Sequence, residues 1–465
     1  ATRRTNAPNW NPEYAEHAAA SRETRGGFVA TDTEYGPLLR VPIDSVLAKA
    51  REMSGRSDTD SLKEYDPFAG LCADRPRRAY LALAHAARRC EFPTWAWKTF
   101  LNSDSREQDH SAFSAATADR LCRLPDEILS QLLYPATWWL QKVSKPMAED
   151  SSGTFDRAVR RLLGVVRADP TNASSAVLGS SHERDWVTEA LNSPVGHLVR
   201  AILEDPRNSG DQPGLIEPLL KMVEQCLSLP GDPRRHAIAM LAHHLGWLHS
   251  TNADWTEQHL LAILDADDQD DQEALWAGFF WNPRISSPAF YLRIKDGLLT
   301  IARIRNASHK FHAQSLAYLI LWGWLSSNGN EGRRWVASTE FRDVLLHADD
   351  EFRSQVLWQF EQVLNSEKAV DREAWQSRAH EFLEEVWPRQ RSAKTPAMTA
   401  RLCELLVARP DSFAALIDIV LPLLTRINDA TRLHIHFRSE VNELVKSHPE
   451  RILHLLHSVL PDDVR

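Results

Sequence analysis

A duplicated segment between about residues 237 and 360 constrains the fold of this chain more than any other feature. Three patterns recur in the same order, and their first residues pair as Gly246 with Gly323, Leu264 with Leu346, and Leu275 with Leu357. The pattern Gly-Trp-Leu recurs after 77 residues, whereas Leu-x-Ala-Asp-Asp and Leu-Trp recur after 82, so five residues have been inserted between the blocks. A unit of roughly 80 residues, about two helical hairpins of the HEAT or armadillo kind, has therefore been duplicated.

Helical periodicity extends over most of the remaining chain, and no segment alternates long enough to predict a strand. Proline residues separate the helical segments, because proline cannot continue a helix. We predict an all-α fold, an α-solenoid of stacked helical hairpins. The predicted helices are 41–53, 75–90, 94–101, 111–123, 126–143, 155–167, 186–191, 195–203, 215–227, 236–248, 255–264, 273–280, 311–325, 338–346, 352–364 and 375–386.

Three parts are predicted along the chain. Residues 1–65 read as a polar arm or linker with one helix, and residues 66–207 as a helical subdomain. Asn208 to Gly214 gathers Asn, Ser, Asp, Gln, Pro and two Gly, which is typical of a linker. Residues 214–465 are then predicted to form the helical-repeat domain.

Composition argues against several classes of protein. The 465 residues include only 18 Gly, and the chain has no P-loop, GxGxxG or GxSxG motif, so we predict no catalytic residue and no cofactor. A net charge of −9 argues against a chain-wide nucleic-acid surface. Five scattered Cys indicate a reducing compartment. No run of 18 apolar residues and no apolar signal segment occur, so we expect a cytoplasmic protein without a membrane span.

Two clusters of metal-type side chains favour structural roles. The acidic run from Asp265 to Glu273 lacks the glycine and glutamate that a calcium loop requires, and acids before a helix stabilise its positive N-terminal end. The histidines near residues 236–259 lack the spacing of a zinc helix. We predict helix capping for the acids, buried or surface histidines, and no metal.

One helix carries the polar face with the clearest potential for binding. On the predicted helix 75–90, the arginines Arg77, Arg78, Arg88 and Arg89 fall within an arc of about 120°. Guanidinium groups suit carboxylates or phosphates, so this face is a candidate partner-binding surface, against the alternative of an ordinary solvated face. The recurring tryptophans are expected to fill the core between hairpins.

Three segments resemble a known family. They are DPFAGLCADRPRRA at residues 66–79, FPTWAWKTFL at 92–101 and EALNSPVGHL at 189–198. They resemble the long C-terminal helical region of bacterial sirtuin-like antiphage defence proteins, and the resemblance covers about residue 36 to the end. It implies a regulatory or sensing region that accompanies an NAD-hydrolysing sirtuin-like domain. This chain has no glycine-rich dinucleotide loop of that domain, so no catalytic residue is carried over.

The favoured hypothesis is therefore a non-catalytic interaction or sensor module. Its partner would be a protein, either a phage protein or its own NAD-hydrolysing domain, and the chain could also form a homo-oligomer. Stacked repeats present large, pre-ordered surfaces for such contacts. The alternatives are a nucleic-acid-binding solenoid, against which the acidic charge argues, a free-standing assembly scaffold, and an enzyme whose site is assembled from distant residues.

Overall fold

The computed structural model describes residues 30–56, 63–177, 184–210, 213–303, 310–328, 333–366, 372–408, 412–427 and 444–460. The chain divides into two compact units, Ala1–Ala173 and Ser174–Arg465, and each is treated by itself below. The predicted division into three parts stays a prediction. Its second junction, residues 208–214, falls within the second unit.

The first unit is built mainly from helices. Its regular elements are β1 (Ala30–Asp32), α1 (Gly36–Arg40), α2 (Val46–Met53), β2 (Gly55–Arg56), β3 (Lys63–Tyr65), α3 (Pro67–Asp74), α4 (Pro76–Arg88), α5 (Thr94–Asn102), α6 (Ser111–Cys122), α7 (Asp126–Gln131), α8 (Leu133–Lys142) and α9 (Ser144–Ala168), with 3-10 turns at Ile43–Ser45, Asp104–Gln108 and Pro170–Ala173.

A small sheet, which the sequence did not predict, lies in the first unit. Its order is β1-β3-β2, with β1 parallel and β2 antiparallel to β3. Each strand has two or three residues, too few to show the alternation by which a strand is detected. The predicted arm with one helix is correspondingly richer: between residues 30 and 56 it holds α1, α2 and two of these strands.

Helix breaks in the first unit differ from those predicted. The predicted helix 126–143 is interrupted at Leu132, which separates α7 from α8. Conversely, Pro146 does not end a helix, because it lies in the first turn of α9, where its missing N–H has no intrahelical partner to lose. The interruption of α9 comes instead at Ser151, whose φ of −145° and ψ of 44° are not helical.

A buried arginine fixes the turn between α5 and α6. Arg106 has no exposed surface, donates from Nη2 to the carbonyl oxygen of Cys72 at 2.9 Å, and places its Nη1 3.1 Å from Asp109 Oδ2. Its guanidinium also packs on the rings of Phe100 and Phe113. Burial raises the pKa of Asp109 to about 6, against the opposing attraction of Arg106. This contact ties the turn to the C-terminal end of α3.

The second unit continues the helical architecture. Its regular elements are α10 (Trp186–Leu191), α11 (Pro194–Leu203), α12 (Glu217–Leu227), α13 (Asp232–Ala242), α14 (Leu245–Thr251), α15 (Ala253–His259), α16 (Gln269–Trp281), α17 (Pro288–Arg303), α18 (Lys310–Leu325), β4 (Ser327–Asn328), β5 (Arg333–Arg334), α19 (Ser338–His347), α20 (Asp350–Ser366), α21 (Arg372–Glu381), α22 (Pro396–Ala408), α23 (Phe413–Val420) and α24 (Pro449–Val459), with a π turn at Phe382–Val386 and 3-10 turns at Pro206–Ser209, Leu261–Asp265, Arg391–Ala393 and Leu421–Leu423.

The duplicated sequence corresponds to helices that pack in equivalent pairs. We call α13–α16 the first copy and α18–α20 the second copy. In the first, α13 packs against α16, and in the second, α18 packs against α20. The five inserted residues fall where α18 is followed by the antiparallel pair β4–β5, which the first copy lacks.

Helix α17 was not predicted. Its interior Gly297 weakens the helical signal, since glycine is a poor helix former. In the structure a Cβ at this position would lie 2.5 Å from the Trp276 ring, so the glycine makes room for a side chain of α16.

The predicted all-α class is confirmed, with the short strands as the only other regular structure in the described residues. The arrangement as a solenoid of HEAT-like repeats stays a prediction. Within the described ranges, no helix has both the length and the apolar character needed to cross a bilayer.

Candidate functional site

Helix α4 carries the arginine face that the sequence selected. Pro76 stands in its first turn, and Ala79, Ala82 and Leu83 bury its inner side. Its C-terminus is closed by a Schellman arrangement: the N–H of Glu91 donates to the Ala86 carbonyl, and Cys90 adopts a positive φ of 58°. The helix is therefore fixed at both ends, with its outer side exposed.

Two of the four predicted arginines are occupied within the chain. Arg78 donates from Nε and Nη2 to the carbonyl oxygen of Leu38, at 3.2 and 3.1 Å, and from Nη2 to the carbonyl oxygen of Val41. It thus holds the C-terminal end of α1 against α4. Arg89 forms an ion pair with Glu91, two residues away. Neither side chain is free to define a docking face.

The other two arginines flank an exposed leucine that the sequence did not select. Arg77 and Arg88 are exposed, and no hydrogen bond or ion pair involves them among the described residues. Leu81 lies one helical turn beyond Arg77 and two turns before Arg88, and 51% of its surface is exposed. An apolar side chain between unpaired guanidinium groups can contact an acidic, partly apolar segment. The sequence could have indicated Leu81 by its spacing, four residues after Arg77 and seven before Arg88.

The acidic run of the second unit caps a helix, as predicted. Asp268 Oδ1 accepts a hydrogen bond from the N–H of Asp271 at 3.0 Å, at the start of α16. Asp271 is 6% exposed and forms an ion pair with Arg234 at 2.6 Å. In the second copy, Asp349 Oδ1 accepts from the N–H of Phe352 at 2.8 Å. Asp268 and Asp349 therefore cap helices, and Asp271 is held in an ion pair.

A network of paired charges joins residues 184–189 to the N-terminus of α13. Arg184 donates to both carboxylate oxygens of Glu189, at 2.9 Å and 3.1 Å from Nε, and to Asp232 at 2.9 Å. Its guanidinium also lies over the ring of Trp186, 4.2 Å from the centroid, while that of Arg235 lies at 5.7 Å. The carboxylates here are held by arginines, so the network stabilises the packing and offers no general base.

Two histidines of the second unit are buried, His236 on α13 and His197 on α11, and His244, just after α13, is half-buried. His236 is 1% exposed, and its Nε2 lies 3.9 Å from Glu189 Oε2, too far for a hydrogen bond. Burial lowers the pKa of His236, and it lowers the pKa of both His244 and His197 to about 4. All three are therefore neutral near pH 7. In the described part of the chain, no group of three or more His, Cys, Asp or Glu side chains is placed to hold a metal ion.

The recurring tryptophans do not share one environment. Trp324 is fully buried and Trp276 is 9% exposed, as core positions should be. Trp358 is 36% exposed, which corrects the expectation that it fills the core. Trp281, which the sequence did not select, is 45% exposed at the end of α16.

Fold and side chains together define an all-α protein with an exposed arginine–leucine face on α4. In comparisons with protein families, curated proteins and solved structures, nothing matches this chain.

Proposed function

We propose that this chain is a non-catalytic interaction module that binds an acidic segment of another protein through Arg77, Leu81 and Arg88 on α4. The observation that carries the proposal is the exposure of Leu81 between two guanidinium groups that have no partner among the described residues. Charge pairing at such a face would orient the partner, while Leu81 would supply apolar contact area.

The resemblance of residues 66–79, 92–101 and 189–198 suggests which partner this is. We propose that the partner is the NAD-hydrolysing sirtuin-like domain of a bacterial antiphage defence protein, with the helical chain serving as its regulatory or sensing part in the cytoplasm. A sirtuin-like domain in the same or the adjacent reading frame would support this. The absence of such a domain in every genome that encodes a similar chain would count against it.

A binding experiment with matched variants tests the face itself. The probe is a fluorescein-labelled 12-residue peptide of alternating glutamate and leucine, titrated with the intact chain and followed by anisotropy. The double variant Arg77→Glu, Arg88→Glu should weaken binding at least tenfold. The control is Arg51→Glu, Arg123→Glu, two exposed arginines of the same unit with an identical change in net charge. The peptide affinity of this control should stay within twofold of the wild type, because surface substitutions rarely disturb folding.

Equal loss in both double variants would show attraction by overall charge and would refute a specific face. The variant Leu81→Asp tests the apolar contribution of Leu81. It should weaken peptide binding by more than the added negative charge alone would. Sedimentation velocity tests self-association. If an oligomer dissociates in the Arg77→Glu, Arg88→Glu variant, the face binds another molecule of the same chain in place of an acidic partner.

A further inference from the structure

A second surface, unrelated to α4, combines an exposed tryptophan with arginines. It lies in the second unit, where α13 and α16 end side by side and α11 packs against α13. We call it the Trp281 patch, formed by Trp281 at the end of α16, His243 after α13, Arg284 in the following loop and Arg200 on α11.

Two glycines bring these elements together. A Cβ on Gly278 would lie 2.1 Å from the carbonyl oxygen of Ala239, so only glycine lets α16 pack this close to α13. A Cβ on Gly246 would lie 2.3 Å from the carbonyl oxygen of Arg284, so glycine also allows the loop after α16 to approach α14. Close backbone packing thus sets the position of the elements that carry the patch.

The Trp281 ring packs against one histidine ring and keeps nearly half of its surface exposed. The centroids of the Trp281 and His243 rings are 4.0 Å apart and the rings are tilted by 38°, while 45% of Trp281 is exposed. His243 in turn packs against His244, with centroids 4.7 Å apart. Burial, assisted by Arg284 and Arg200, lowers the pKa of His243, so the supporting ring is neutral near pH 7. A large aromatic surface in a fixed orientation is a platform for another flat ring.

Two arginines lie near the histidines beside this platform. Arg284 is exposed and makes no hydrogen bond or ion pair among the described residues. Arg200 donates from Nε to Glu204 at 2.8 Å. Both guanidinium groups are near enough to lower the pKa of His243 and of His244. The negative charge of Glu204 repels an anion, but it is smaller than the combined positive charge of the two arginines.

The second copy shows that the repeat does not need this arrangement in order to pack. By the repeat offsets, Val363 corresponds to Trp281, and Ile320 and Leu321 correspond to His243 and His244. The second copy buries Ile320 and Leu321 completely. Trp281, His243 and His244 are therefore not required by the helical packing that the two copies share.

We propose that the Trp281 patch binds a nucleoside phosphate, with the base stacked on Trp281 and the phosphate held by Arg284 and Arg200. Bases stack on aromatic side chains, and guanidinium groups match phosphate oxygens in geometry and charge. The same chemistry is offered by a free nucleotide and by a nucleotide within a single strand. The net charge of −9 favours a short ligand over a long polyanion.

Titration of the intact chain tests the proposal and distinguishes the two sources. One arm uses ATP by isothermal calorimetry, and the other a fluorescein-labelled 10-nucleotide oligoadenylate by anisotropy. Trp281→Ala and Arg284→Glu should each weaken binding at least tenfold, and Trp281→Phe, which keeps a flat ring, only two- to fourfold. Trp358→Ala removes another partly exposed tryptophan and should change binding less than twofold.

Binding of ATP that depends on Trp281 assigns the site to a free nucleotide, and binding of the oligonucleotide alone assigns it to a single strand. The proposal is overturned if neither ligand binds, or if binding persists unchanged in Trp281→Ala and Arg284→Glu. It is also overturned if inorganic phosphate competes as well as ATP, since the base would then contribute nothing. Trp281 and Arg284 are exposed, and an unchanged circular dichroism spectrum of each variant excludes loss of the fold.

Discussion

The Gly-Trp-Leu motif occurs once in each copy of the repeat, and the two copies place it in different surroundings. In the first, Trp247 is half-buried within α14, a helix of seven residues. In the second, Trp324 has no exposed surface and lies near the end of α18, a helix of sixteen residues. The same motif tryptophan is thus buried to different extents in the two copies.

The inserted hairpin contributes to this difference, beside the packing of Trp324 on Phe360 and Phe382. Its second strand carries Arg334, whose guanidinium lies 4.1 Å from the centroid of the Trp324 ring. Just after the hairpin, Ser338 accepts a hydrogen bond from the indole N–H of Trp324 at 3.1 Å. The first copy has no hairpin at the corresponding point, and its tryptophan stays partly open. A short insertion can therefore add contacts around a residue that the repeat has in both copies.

The residues before the motif differ as well. Helix α13 ends at Ala242, and His243 and His244 separate it from α14. At the matching positions of the second copy, Ile320 and Leu321 are buried and the helix continues. The two copies therefore differ in structure where their residues differ, just before the shared motif.

Truncation of the two motif tryptophans should show the largest contrast. Trp324→Ala should destabilise the second unit by about 3–5 kcal/mol, the usual cost of deleting a fully buried tryptophan. Trp247→Ala should cost less than half as much, because its side chain already contacts solvent. Urea unfolding followed by far-ultraviolet circular dichroism measures both. Equal costs would mean that the hairpin does not change the packing of the motif.

Exchange of the histidine pair should change the response to acid. The folded pKa of His244 is about 4, below its ordinary value of 6.5, because burial disfavours the charged ring. Between these values the unfolded chain binds a proton that the folded chain does not, so stability falls as the pH falls from about 6.5 to 4. The double variant His243→Ile, His244→Leu should lose about 2–3 kcal/mol less than the wild type between pH 7 and 4.5.

The exposed His454, changed to leucine, is the control for this exchange, and it should leave the acid response unaltered. Urea midpoints at the two pH values supply the comparison. The same loss of stability in the double variant and in the wild type would remove the histidine pair as a source of acid sensitivity.

Alanine at the two motif glycines should have the smallest effect of the three. A Cβ on Gly246 would meet the Arg284 carbonyl oxygen at 2.3 Å, and a Cβ on Gly323 would meet the Tyr291 hydroxyl at 1.9 Å. Each substitution should cost about 1–3 kcal/mol, the usual penalty of overpacking. Gly164→Ala in α9, with open space around it, should instead stabilise by about 0.5–1 kcal/mol. Thermal unfolding distinguishes the signs, and stabilisation by Gly246→Ala would contradict the close packing described here.

Much of the helical content followed from the sequence, because its periodicity is local. The predicted segment 186–191 matches α10, and the start predicted at Ser338 matches α19. The small sheet was missed because its strands are too short to show a pattern. Helix α17 was missed because its interior Gly297 weakens the helical signal, and the contact with Trp276 that favours glycine there is visible only in the structure.

The candidate faces were only partly accessible to sequence reasoning. Helical geometry placed the four arginines of α4 together, but periodicity cannot tell which guanidinium groups find partners. Arg78 turned inward to the carbonyl oxygens at the end of α1, a segment nearly forty positions earlier, and Arg89 found Glu91 because of the turn at Cys90. The exposure of Trp281 likewise depends on where α16 ends relative to α13.

The π turn between Phe382 and Val386 bears on how this chain should be aligned with others. Such a turn has i→i+5 hydrogen bonding in place of i→i+4, so it accommodates one additional residue. A relative with an ordinary α turn here would be one position shorter, and an ungapped alignment would place every residue from Trp387 onward opposite the wrong partner. A single-residue gap at this point is the one a structure-based alignment should introduce.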